Sequence, residues 1–145
     1  MKIKVKKLSE SASLPERGSA YAAGYDLRAD IPEEMSLLPH ENALIPTGLS
    51  MEIPEGYFGG IFARSGLATK ESLRPANCVG VIDSDYRGPV MVSVHNDSEK
   101  TRLISPQERI AQLVIIPFLA AEFDEAADLN ETERGSGGFG STGKE

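Results

Sequence analysis

The spacing of its breakers limits this chain's fold more than any other feature. Fourteen glycines and nine prolines are spread over 145 residues, and no long apolar stripe at helical spacing runs between them. Proline removes a backbone donor and glycine raises the cost of ordering, so a chain interrupted this often does not build long helices. The segments between breakers have the pattern of short strands. KIKV alternates, with Ile3 and Val5 on one face. GLSMEI puts Leu49, Met51 and Ile53 on one side and stops at Pro54-Glu55-Gly56, a turn signal. PVMVSVH directs Val90, Val92 and Val94 inward. RIAQLVIIPF is apolar on both faces, as a central strand is, and Pro117 ends it. Only GLATKESL, after Ser65, has helical character, and then for a turn or two. The pattern predicts an all-β sandwich, jelly roll or barrel.

The length fits one domain. A net charge of −7 argues against a nucleic-acid polymer as partner, although a local arginine cluster can still hold a small anion. No run approaches the ~18 apolar residues of a membrane span, so no membrane partner is expected. The basic start, MKIKVKKLSE, has no apolar run behind it and does not read as a signal peptide. The single Cys78 cannot form an internal disulfide, which fits a cytoplasmic protein. His40 and His95 lie far apart, which argues against zinc.

Composition changes near the end. Residues 1–121 read as the β body, and residues 122–133 (EFDEAADLNETE) as a connector with six acids and no base. Residues 134–145 (RGSGGFGSTGKE) form a glycine-rich arm with five glycines, Arg134 and Phe139. Gly135, Gly137 and Gly140 satisfy G-x-G-x-x-G, and Gly138, Gly143 and Lys144 nearly complete a P-loop. Both patterns need a following helix to hold phosphate, and none is expected here. The glycines still free backbone amides for phosphate oxygens, and Ser136, Ser141 and Thr142 add hydroxyls.

Four more stretches carry chemistry-bearing residues. AGYDLRA sets Asp26 at a strand start, as a turn acid or a ligand-facing carboxylate. ARSGLA joins Arg64, Ser65 and Gly66 where a helix begins, a local anion site unless Ser65 serves only as an N-cap. NCVGVIDSDYRG reads as a hairpin arm bearing Asn77, Asp83, Asp85 and Tyr86, more than turn chemistry alone requires. In RIAQLV, Gln112 sits among apolar neighbours and must be hydrogen-bonded, since an orphaned buried amide costs about 1–3 kcal/mol.

In order and spacing, AGYDL, RSGLA, GVIDSDYRG, RIAQLV and RGSGGFGSTG resemble the five motifs of the trimeric deoxyuridine triphosphate pyrophosphatases (dUTPases), and the resemblance covers almost the whole chain. One departure is Ala63, where many members have proline. The resemblance implies a jelly-roll-like β-barrel with a flexible C-terminal arm. It implies hydrolysis of dUTP to dUMP and pyrophosphate, with water attacking the α-phosphorus and Mg2+ on the triphosphate. By the same resemblance, Asp83 orients and deprotonates that water, and Tyr86 lies under the deoxyribose. Asn77 contacts uracil, with backbone groups of the same arm, Gly80, Val81 and Ile82, supplying the remaining readout. Arg64, Ser65 and Gly66 grip the phosphates. Gln112 and Asp26 act through magnesium- or phosphate-bound water. Phe139 stacks on uracil, Arg134, Ser141 and Thr142 hold the γ-phosphate, and Gly138 and Gly140 let the arm wrap. Three subunits of a homotrimer build each site. Alternatives are a dCTP deaminase on the same fold, a non-catalytic nucleotide sensor and a structural jelly-roll oligomer. The paired GVIDSDYRG and RGSGGFGSTG, with Asp83, Tyr86 and Phe139 all present, favour the pyrophosphatase.

Overall fold

Alternation along the sequence becomes strand register in space. In the computed structural model, which describes residues 1–138, eleven strands and one short helix follow the breaker spacing. The strands are β1 (Lys4–Lys7), β2 (Glu16–Arg17), β3 (Tyr25–Arg28), β4 (Met35–Leu37), β5 (Asn42–Glu52), β6 (Tyr57–Phe62), β7 (Leu73–Pro75), β8 (Gly80–Ile82), β9 (Val90–Asn96), β10 (Arg102–Ile104) and β11 (Arg109–Pro117). Helix α1 (Ser65–Lys70) falls between β6 and β7. No helix among the described residues is long and apolar enough to cross a membrane.

The strands form a four-stranded sheet, β1-β5-β9-β7, a five-stranded sheet, β2-β3-β11-β6-β8, and a β10-β4 ribbon. The arrangement is jelly-roll-like, and the described strands fall into separate sheets rather than one closed barrel. One core joins the two larger sheets. Leu49, Met51, Val90, Val92 and Val94 enter it from the first, and Leu27, Ile61 and Leu113 from the second. Burying each of these side chains stabilises the fold by about 1.5–3 kcal/mol. Ile3 and Val5 pack against the same core from the β1 end. RIAQLVIIP takes the central place its two-faced apolarity predicts, with β3 on one side and β6 on the other.

Buried polar groups in the core are satisfied internally. Thr47 Oγ1 donates to the Val90 carbonyl at 2.7 Å. The fully buried Asn96 amide donates to the carbonyls of Leu37, Leu38 and Lys100 at 2.8–3.0 Å, tying the β4 end to the loop after β9. Beyond Pro117 the described chain runs without strand or helix, and Leu119, Phe123 and Leu129 stand almost fully exposed.

Candidate active site

Two groups of candidate side chains lie at opposite ends of β6. The first gathers where β6 runs into α1. Arg64 is the extended N-cap residue of that helix, at φ −87° and ψ 128°. Ser65 is therefore the first helical residue rather than the cap, and no side chain caps the helix. Arg64 Nε donates to Asp26 Oδ1 at 2.8 Å, and Arg109 Nη1 donates to Asp26 Oδ2 at 3.2 Å. Asp26 is thus a strand residue clamped by two guanidiniums, and the turn-acid reading fails. The surplus positive charge is a local exception to the chain's net −7. Arg64 also gives Nη1 to the Arg109 carbonyl at 3.2 Å. Of its five N–H donors, three remain for a ligand.

Gln112 joins this group through sheet register, opposite Asp26 on β3 and Phe62 on β6. Its Nε2 donates to the Ala63 carbonyl at 2.8 Å. That acceptor is backbone, so a residue other than proline at position 63 leaves the contact intact. The Gln112 Oε1 lies over Gly24, in space that any Cβ at that position would fill. Ser65 and Gly66 are exposed beside these groups. Arg109 was missed in the sequence, although it opens the RIAQLV stretch. Its role depends on cross-strand pairing that a linear pattern does not show.

The second group follows β8. The sequence suggested a self-paired hairpin over residues 77–88, and the structure corrects this. β8 pairs with β6 instead, with Gly80 opposite Ile61, Val81 opposite Gly60 and Ile82 opposite Gly59. Pro89 then leads into β9, which belongs to the other sheet. The segment is a crossover between sheets, because Ile82 pairs with Gly59 in the five-stranded sheet and Val90 with Leu49 in the four-stranded one.

Asp83 lies one residue past Ile82. Its backbone carbonyl accepts the Tyr86 N–H at 3.2 Å, whereas its exposed carboxylate has no hydrogen bond among the described residues. With Glu52, Glu55, Asp85, Arg87 and Phe118 it lines an open cavity of about 660 Å³. The Tyr86 ring lies against Gly88, and its hydroxyl donates to the Pro89 carbonyl at 3.0 Å. Ser50 Oγ holds the Arg87 carbonyl at 2.7 Å, fixing the crossover to β5. Asn77 is exposed, with its amide nitrogen near Gly80. A larger cavity, about 730 Å³, is lined by apolar side chains such as Met1, Ile3, Leu14 and Tyr25 and holds no carboxylate. Asp83 lines the smaller cavity and not this one.

The two groups do not meet within one chain. Asp83 follows the partner of Gly59, whereas Arg64 and Gln112 cluster around Phe62. Asp83 is thus level with Phe58, and four residues of strand at ~3.3 Å rise put about 13 Å between these ends. No hydrogen bond or ion pair joins the groups among the described residues. Arg134 Nε donates to the Gly137 carbonyl at 2.8 Å in an exposed turn, and Gly138 follows it, half-buried. Phe139, Gly140, Ser141 and Thr142 lie outside the described residues.

Comparison with known proteins decides the kinship. The dUTPase family profile matches residues 10–143. The chain belongs to the dUTPase family. It is 48% identical over 132 residues to the deoxyuridine 5'-triphosphate nucleotidohydrolase of Paraburkholderia xenovorans, covering 90% of this chain and 89% of the relative. It is 50% identical over 137 residues to that of Chlamydia pneumoniae, covering 94% of each. Among solved structures, the Staphylococcus bacteriophage 80alpha dUTPase with dUpNHpp superimposes with a TM-score of 0.85 at 33% identity, over 99% of each chain. A dUTPase variant from phage phi11 of S. aureus superimposes with a TM-score of 0.81 at 29% identity, over 90% of this chain and 100% of that one. That structure is described as showing the coordination of a structural Mg(II) ion.

The residues here fit magnesium carried in on a substrate. No group of three or more His, Cys, Asp or Glu among the described residues forms a cage. Magnesium keeps several waters and relies on substrate phosphates, so a cage is not required. The Gln112 Oε1, whose amide partner is already fixed, and the Asp26 carboxylate are acceptors suited to water on such an ion.

Proposed function

We propose that the protein hydrolyses dUTP to dUMP and pyrophosphate in the cytoplasm, in active sites shared between the subunits of a homotrimer. Asp83 accepts a hydrogen bond from the attacking water and takes its proton as the water oxygen bonds to the α-phosphorus. The bond from that phosphorus to the bridging oxygen breaks, and pyrophosphate leaves with the electron pair. Arg64, steered by Asp26, aims its three open N–H donors at the phosphates, with the Ser65 hydroxyl and Gly66 backbone alongside. Magnesium, when bound with the triphosphate, would offset negative charge on the phosphate oxygens, and Asp26 and Gln112 would hold its water.

Tyr86, fixed by Pro89, closes the space where a ribose 2′-hydroxyl would lie. Asn77 and the backbone of Gly80, Val81 and Ile82 read the base. The arm folds over the nucleotide, with Phe139 on uracil and Arg134, Ser141 and Thr142 at the γ-phosphate. Gly138 and Gly140 permit the bend. Base stacking of this kind is worth about 1–3 kcal/mol.

One observation carries the reading: Asp83 presents an exposed carboxylate with no protein partner among the described residues, just past the end of β8, which β6 holds in register. The test measures pyrophosphate release from dUTP, dTTP, dCTP and UTP side by side. We expect dUTP to be preferred by about a hundredfold or more. Asp83→Asn should lower kcat by about 10²–10⁴ while dUTP binding persists. Equal turnover of the four nucleotides, or full activity in Asp83→Asn, overturns the assignment.

A further inference from the structure

Arg74, in the middle of β7, sits between a carboxylate and the loop that carries Asn77. Its Nε and Nη2 grip both oxygens of Asp97, at 2.5 and 3.1 Å. Its Nη1 turns the other way and donates to the carbonyls of Pro75 at 3.1 Å and Ala76 at 3.4 Å. Asp97 is itself held. His95 Nε2 lies 3.1 Å from its Oδ1, and its backbone N–H donates to the Ser72 carbonyl at 2.9 Å. His95 is in turn fixed by Asn42 at 2.8 Å. The Arg74 hydrogen bond holds the Asp97 carboxyl below its ordinary range.

The loop so gripped is short and strained. Residues 76–79 carry the chain from β7 in one sheet to β8 in the other. To make that turn Cys78 adopts φ +62°, a left-handed conformation costly for a side chain with a Cβ. The Cys78 N–H donates to the Pro75 carbonyl at 3.0 Å, and the Val79 N–H to the Asn77 carbonyl at 2.7 Å. The Pro75 carbonyl thus accepts from both the loop and Arg74. Such a conformation persists only where its surroundings over-determine it. Two ties from outside the loop add to that determination: the Ala76 N–H donates to the Ser93 carbonyl at 2.8 Å, and the planar Arg74 fork spans carboxylate and carbonyls together.

We infer that Arg74, anchored by Asp97, is a positioning residue that fixes the Asn77 loop and thereby sets discrimination among pyrimidine bases. The inference rests on the reading that this loop contacts the base. Arg74 acts through the carbonyls of Pro75 and Ala76 and through the Cys78 sulfur, 4.0 Å from its Nη1.

The test compares Arg74→Ala, Arg74→Lys, Asp97→Asn and Asn77→Ala in the full-length protein. It measures kcat and KM for dUTP, and inhibition constants for dCTP and dTTP as competitors. Arg74→Ala should raise the KM for dUTP about tenfold and keep kcat within about twofold. The ratio of competitor inhibition constants to KM should shrink, and lysine should not restore it. Should Arg74→Ala fail to fold, Asp97→Asn at its exposed site carries the same expectation. A ratio that stays intact, or a loss confined to kcat, or full rescue by lysine, overturns the positioning role. Asn77→Ala separates the two readings. If it changes the ratio and the Arg74 and Asp97 variants do not, only the Arg74 inference fails. If Asn77→Ala also leaves the ratio unchanged, the base-reading loop itself is wrong.

Discussion

Gln112 shows how a single residue constrains its neighbours. An amide among apolar side chains needs a partner, and it finds the Ala63 carbonyl at 2.8 Å. Its other end occupies the space above Gly24, where a Cβ would overlap Oε1. Gly24→Ala should therefore push the amide off its acceptor, disturbing the group that includes Asp26 and Arg64. We expect kcat/KM for dUTP to fall about tenfold or more, against an overpacking cost of about 1–3 kcal/mol in stability. Steady-state kinetics paired with urea unfolding checks both parts. Unchanged kinetics would remove Gln112 from the site. The need for a partner was legible in the sequence, since polarity out of place is a local signal. The identity of the partner was not, and neither was the Arg109–Asp26 pair. Those contacts join residues 49 and 83 positions apart, and only strand register brings them together.

At the level of elements, the strands whose alternation is uninterrupted were the easiest to read. Val90, Val92 and Val94 alternate cleanly and lie buried as a row. β5 was harder, because Pro46 interrupts it. The register with β9 shifts between Pro46 and Leu49, and Gly48 takes φ +67° at that bulge. Proline inside a paired strand is found at bulges or edges, so the first half of β5 gave no strand signal in the sequence. β8 misled for another reason: the turn residues of NCVGVIDSDYRG suggested a hairpin arm, and the β6 edge claimed β8 instead. β7 is a three-residue edge strand that leans on the Arg74–Asp97 pair. Because that pair lowers the folded-state pKa of Asp97, its contribution is present above the unfolded value of about 3.9 and lost as pH falls through the lower folded value. In urea unfolding followed against pH, wild type should exceed Asp97→Asn near neutrality, and the two curves should converge on acidification below about pH 4. A gap that stays constant down to the lowest pH would assign the effect to packing instead.

At the scale of the whole molecule, the decisive geometry is the distance between Asp83 and the Arg64 group that we propose grips the phosphates. In-line attack needs the water-activating carboxylate and the phosphate donors around one phosphorus, within hydrogen-bond reach of about 3 Å. Within one chain they sit at opposite ends of β6. The cavity at Asp83 is lined by four carboxylates and one guanidinium, which repels a triphosphate unless cations arrive from elsewhere. A second copy supplies them if its Asp26–Arg64–Arg109 cluster faces the Asp83 of the first. Such head-to-tail contacts close into rings, and a ring of three satisfies every subunit. Hybrid assemblies test this directly. Arg64→Ala and Asp83→Asn variants are each expected to be nearly inactive. When mixed in equal amounts, unfolded and refolded together, a site draws its grip from one subunit and its carboxylate from another. Each part is intact half the time, so about a quarter of wild-type activity should return. If the two parts worked within one chain, every site would carry one lesion and mixing would restore nothing.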